Sequence, residues 1–278
     1  MDITTFLAWH PVFTRNELEV ALAGEYSGER STANSRLAYH VRAGHILPIR
    51  RGLYAAVPVG YDPATFVPDP WLITAKLAED AVVAYHSALR FHGRGYSLSD
   101  QYLYFSHHTA KPEEHFGCRF RRVPYPQALC RASREQFGVE SVDRQGGEVR
   151  VTSLERLLVD LLDRPDLGGG WEEIWRSLES VEYFNLELVV DYALLLDNAT
   201  TVAKVGFFLD RHRDRFMATE EQLARLRQAC PRQPHYLEPG QTGRLIRAWN
   251  LVVPELVLDQ AWEERDEDIT RTLVERSR

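Results

Sequence analysis

The sequence predicts an α+β fold: a small N-terminal domain of helices closed by a β-hairpin, then a larger mixed α/β domain. Three observations carry this. Residues 1–57 hold three helical patterns followed by a strand–turn–strand pattern. Residues 58–70, PVGYDPATFVPDP, are proline-rich and polar and predict a linker. Residues 71–254 then mix helical periodicity with short β-rich runs, and residues 255–278, which include WEERDED, form an acidic extension.

In order along the chain, Ile3, Phe6 and Leu7 lie at helical spacing, and His10-Pro11 ends that segment. In VFTRNELEVALAG, Thr14 followed by Glu17 spells a capping box, Phe13 is placed as its hydrophobic staple, Leu18, Ala21 and Leu22 form a buried stripe, and Gly24 is the stop. After the loop EYSGER a third helix is expected to start at Ser31 or Thr32, with Ala33, Leu37 and Val41 facing the core. At 100° per residue this puts Ser35, Tyr39 and Arg42 on the opposite side, flanked by Arg36 and Ala38, while His40 leans towards the core. Gly44 is a natural C′ residue, and ILPIRRGLYAAV predicts a hairpin turning at Arg50-Arg51-Gly52.

Further on, WLITAKLAED and AYHSALRFHG predict helices, and QYLYFSHH and CRFRRVPY predict strands. EVRVTSLERLLVDLLDRP predicts a strand and then a helix capped at Thr152 or Ser153, with Thr152 and Glu155 spelling a second capping box. Residues 171–228 are helical in pattern, with stops at Asp197-Asn198 and Asp214.

Three helices and a two-stranded wing are the order of a winged helix-turn-helix. The 24 residues from Ser31 to Tyr54 carry Arg36, Arg42, Arg50 and Arg51 and no acid, in a chain of 278 residues with 40 acids and a net charge of −7. Such a charge disfavours non-specific nucleic-acid binding by the whole surface, so a local basic patch would have to do it. The expected DNA contacts are Thr32, Ser35, Arg36, Tyr39 and Arg42 on the third helix, with Arg50 and Arg51 at the wing reaching phosphates or the minor groove. The bland alternative is a winged helix that touches another protein.

Several segments in order resemble the AbiEi-type antitoxins, transcriptional regulators of type IV toxin–antitoxin (abortive infection, phage defence) systems. They are FTRNEL, RRGLY, AYHSALRFHG, VTSLERLLVDLLDRPDLGGG, VAKVGFFLD, HYLEPG and RAWNLVVP. The resemblance implies a DNA-binding autorepressor joined to an antitoxin domain, with operator DNA as one partner and a nucleotidyltransferase-like toxin as the functional partner. The extension 255–278 departs from the family pattern.

No enzyme is expected. A restriction-type nuclease needs an Asp and a Glu-x-Lys; the nearest match, Asp143 with Glu148-Val149-Arg150, puts arginine where the lysine should be, and arginine does not deprotonate. His107, His108 and His115 with Glu113 and Glu114 match no closed metal site and predict a polar loop, so no metal is expected. Gly168 to Gly170 lack a following lysine and predict a turn between helices, so no phosphate-binding loop or cofactor is implied. His86 and His92 are expected to pack, and Arg156 with Asp160 to form either a helix-surface ion pair or a buried anchor. Cys118, Cys130 and Cys230 have no CxxC spacing and suggest no disulfide framework or zinc site. No apolar run reaches membrane-spanning length, and the start MDITTFLAWHPVF lacks the basic and apolar regions of a signal peptide; a cytoplasmic protein with no membrane partner is expected.

Overall fold

The computed structural model describes residues 2–23 and 30–260; at residues 23 and 30–33 it describes the backbone alone. Asp2 caps α1 (Ile3–Trp9), its carboxylate accepting from the backbone N–H groups of Thr4 and Thr5. A short strand the sequence did not signal, β1 (Val12–Thr14), leads into α2 (Arg15–Ala23). The capping box forms: Glu17 accepts from the Thr14 N–H at 2.7 Å, and the Glu17 N–H donates to Thr14 Oγ1 at 3.3 Å. The expected stop at Gly24 lies outside the described residues. Next come α3 (Arg30–Arg42), β2 (Ile46–Arg50) and β3 (Leu53–Ala56), and the three strands pair antiparallel in the order β1-β3-β2. Phe6, Phe13, Leu18, Leu22, Leu37, Ile46 and Ala56 form one core cluster beneath them.

Then follow α4 (Pro70–Lys76), β4 (Val82–Val83), α5 (Tyr85–Phe91), β5 (Gln101–Phe105), β6 (Glu113–His115), β7 (Cys118–Val123), α6 (Gln127–Ala132), β8 (Val139–Arg144) and β9 (Gly147–Thr152). Six of these strands make a mixed sheet in the order β6-β7-β5-β4-β9-β8. β5 pairs parallel with β7, and β4 parallel with β9; the other neighbours are antiparallel. β6 corrects the expectation of a plain polar loop over 107–115: its polar residues occupy an edge strand, where side chains need no core.

From residue 154 to 228 the chain is chiefly helical: α7 (Leu154–Asp163), α8 (Trp171–Glu179), α9 (Leu186–Leu195), α10 (Ala199–Arg211), α11 (Arg213–Phe216) and α12 (Glu220–Gln228). The small sheet β10 (His235–Tyr236), β11 (Arg244–Ile246) and β12 (Leu251–Val253) follows, and then α13 (Glu255–Leu258). Gly169 and Gly170, at φ +90° and +97°, make the expected turn before α8. The second capping box does not form. Ser153 is the N-cap of α7, and Glu155 accepts instead from the backbone N–H of Asn185. Arg156 and Asp160 are buried, so the surface-pair alternative is excluded.

By internal contacts the chain falls into two compact units that do not follow the linker expected at 58–70. The first contains residues 1–91, 98–125 and 139–152; the second contains 92–97, 126–138 and the chain from 153 onward. The N-terminal helices and hairpin therefore share a unit with the six-stranded sheet. Two ties within that unit explain why. Lys76 at the end of α4 pairs with Glu17, and Arg50 pairs with Glu113 of β6 while donating to the carbonyl of Leu77.

Burial disfavours ionisation of Glu17, but Lys76 and the two bonds from Thr14 outweigh it and hold the carboxyl below its usual value of 4.5. A carboxyl lowered on folding stabilises the folded state above its unfolded pKa, and that contribution is lost as pH falls below about 4.5. Glu17→Gln is expected to be less stable than the parent at pH 7 but to lose less between pH 7 and pH 3.5, measured as urea midpoints. Equal losses in both proteins would remove Glu17 as a source of acid sensitivity.

Candidate nucleic-acid interface

α3 is held from one side and open on the other. Leu37 is buried in the core cluster and Val41 is half-buried against it. Ser35, Tyr39 and Arg42 lie on the exposed side, as the helical stepping predicts, with Tyr39 64% exposed; Arg36 is half-buried. The backbone of Thr32 lies in α3, and its side chain is outside the described residues.

The C-terminus of α3 closes in a Schellman arrangement. Gly44, at φ +74°, donates to the carbonyl of Val41, and His45 donates to that of His40. This turn brings the two imidazoles together, Nδ1 to Nδ1 at 3.2 Å. Burial, then the charges of His45 and Arg36, push the His40 pKa below its usual value. Sequence reasoning assigned His45 no role; the signal for the contact was the i, i+5 spacing across a glycine stop.

The hairpin turn is Arg51-Gly52, with Gly52 at φ +82°. Arg51 is exposed, and neither it nor Arg42 has a hydrogen-bond or acid partner among the described residues. Arg50 differs from the expectation for a wing tip. It ends β2 next to a register shift, opposite Leu53, and its guanidinium lies 2.5 Å from Glu113. That side chain is occupied within the protein. The outward set is therefore Ser35, Tyr39 and Arg42 on the helix with Arg51 at the turn. The pattern of donors, an aromatic ring and two cations, with no acid partner for either cation among the described residues, can bind phosphates and base edges.

The other residues singled out by chemistry lie elsewhere. Asp143 and Glu148 face each other across the β8–β9 hairpin on its exposed side; Glu148 accepts from Ser141 Oγ, and Arg150 donates to the carbonyl of Glu79. His115 pairs with Glu113 at 3.0 Å, while the His107 backbone N–H donates to Asp80. Among the described residues no three of His, Cys, Asp and Glu converge to hold a metal ion. No helix among the described residues is long and apolar enough to cross a membrane.

No family model matches the chain, and a search of curated proteins gives no match. Among solved structures, the chain is similar in fold to the RV2827C protein from Mycobacterium tuberculosis. The two share 18% identity over 92% of this chain and 91% of that one, at a TM-score of 0.57. At that identity the likeness concerns the mixed α+β fold alone.

Proposed function

We propose that the chain is a sequence-specific DNA-binding regulator and that α3 with the β2–β3 hairpin is its DNA-reading surface. The observation that carries this is the acid-free exposed face of α3, Ser35, Tyr39 and Arg42, accompanied by Arg51 at the hairpin turn. The order helix, strand, helix, helix, hairpin supports reading residues 1–57 as a winged helix-turn-helix. In that arrangement α3 enters the major groove and Arg51 meets the flanking backbone. A single such module per chain requires two copies to read an inverted repeat.

The resemblance to AbiEi-type antitoxins extends the proposal. The protein would repress its own operon and counter a nucleotidyltransferase-like toxin, in the cytoplasm and with no catalytic role of its own.

Fluorescence anisotropy on the DNA upstream of the gene, against a scrambled duplex, tests the DNA half. Arg42→Ala with Arg51→Ala is expected to lower the slope of log affinity against log salt by about two, close to one per lost phosphate contact. Arg50→Ala is expected to leave the slope unchanged and to lower stability, because its partner is Glu113. A slope that falls with Arg50→Ala and not with the double variant would refute this surface.

A further inference from the structure

Beyond any DNA surface, the second unit holds a cavity of about 470 Å³ lined by Asp163, Pro165, Asp166, Gly170, Trp171, Lys204, Glu238 and Pro239. Lys204 comes from the middle of α10 and is only 6% exposed. Its ammonium makes no hydrogen bond or ion pair among the described residues, and it lies over the face of Trp171, 5.5 Å from the ring centre. Burial lowers its pKa, and Asp163, Glu238 and Asp166 pull it back up. A buried lysine with no acceptor is a cost to the fold that needs some other account.

The carboxylates around it are not equivalent. Asp163 accepts from Thr201 Oγ1 and from Asn198 Nδ2, and Asp166 is bound at both oxygens by Arg164. Glu238 has no side-chain partner among the described residues and is only partly exposed. It lies near enough to Lys204 to act on its charge, yet no ion pair joins them. Lys204 and Glu238 thus line the cavity with no hydrogen-bond partner for either side chain among the described residues, alongside Pro165, Trp171 and Pro239.

We propose that this cavity binds a small zwitterion of the α-amino-acid class, its carboxylate on Lys204 and its ammonium towards Glu238. A monocarboxylate alone would leave Glu238 unanswered. A phosphate would set a second negative charge against Asp163, Asp166 and Glu238. A ligand with one charge of each sign answers both side chains that lack a partner, Lys204 and Glu238.

Isothermal titration calorimetry on the full chain tests this with the free amino acids, and with acetate, methylammonium and inorganic phosphate as comparisons. At least one amino acid is expected to bind, more tightly than any of the three comparisons. Lys204→Met should abolish the heat, and Glu238→Gln should weaken binding roughly tenfold, the loss of one charge-assisted hydrogen bond. Both variants are checked for folding by circular dichroism, and Glu238→Gln, at a partly exposed position, keeps the test open if Lys204→Met does not fold. Absence of binding by every amino acid, binding unchanged in Glu238→Gln, or acetate or phosphate binding at least as tightly would each overturn the proposal.

Discussion

Replacing Arg156 with methionine is expected to cost about 3–5 kcal/mol of stability, the range for breaking a buried ion pair from one side. Arg156 and Asp160 are 0% and 1% exposed. The guanidinium donates to Asp160 Oδ2 at 3.2 Å and to the carbonyls of Glu135 and Phe137 at 2.7 and 2.8 Å. Tyr192 donates to the other Asp160 oxygen at 2.6 Å. One arginine thus pins α7 to the segment after α6, and one carboxylate pins α7 to α9. Removing the arginine leaves a buried carboxylate with a single donor and two carbonyls without theirs.

The pH dependence of this variant has a definite sign. Burial pushes the Asp160 carboxyl up to about 6, against the pull of Arg156 and Tyr192. A carboxyl raised on folding stabilises the folded state below its unfolded value of 3.8, and that contribution is lost as pH rises through about 6. Without Arg156 the carboxyl rises further, so the deficit of Arg156→Met should widen between pH 5 and pH 8. Adding Asp160→Asn should recover much of the loss at pH 8. Denaturant midpoints at both pH values decide it; a deficit under about 1 kcal/mol at pH 8, the level of an exposed pair, would show that the network is not holding α7.

Gly206→Ala is the second large effect, and its sign runs against helix propensity. In an exposed helix the change would gain about 1 kcal/mol. Here a Cβ at 206 would lie 2.0 Å from Cζ3 of Trp249 and 2.4 Å from Cε3. Trp249 cannot step aside easily: it is fully buried, its Nε1 donates to Asp210 at 3.0 Å, and Arg227 sits 5.2 Å from its ring centre. Overpacking of this kind costs about 1–3 kcal/mol or more, so a net loss is expected. Trp249→Phe in the same chain should recover part of it by removing the outer ring. A Gly206→Ala protein at least as stable as the parent in urea would mean that the indole has room to shift.

Local signals were legible in the sequence and distant ones were not. Thr14 and Glu17 spell a capping box and make one. Thr152 and Glu155 spell the same motif, yet Glu155 is taken by a backbone N–H 30 positions away. The exposed face of α3 follows from periodicity alone, whereas the Arg50–Glu113 pair spans 63 positions and sits on an edge strand too polar to announce itself. Arg156 and Asp160 have the spacing of a surface pair; only the arrival of Tyr192 from α9 distinguishes a core anchor.

The strand order also sets a timetable for a chain emerging from the ribosome. β4 lies between β5 and β9, and β9 ends at Thr152, 69 residues after Val83. At about 5–20 residues per second, one side of β4 waits roughly 3–14 s before its parallel neighbour has been synthesised. Through that interval the apolar pair Val82-Val83 offers an open edge to any other nascent chain nearby. Slowing translation between residues 83 and 152 should lengthen that exposure, and crowded polysomes are where mispaired product would first accumulate.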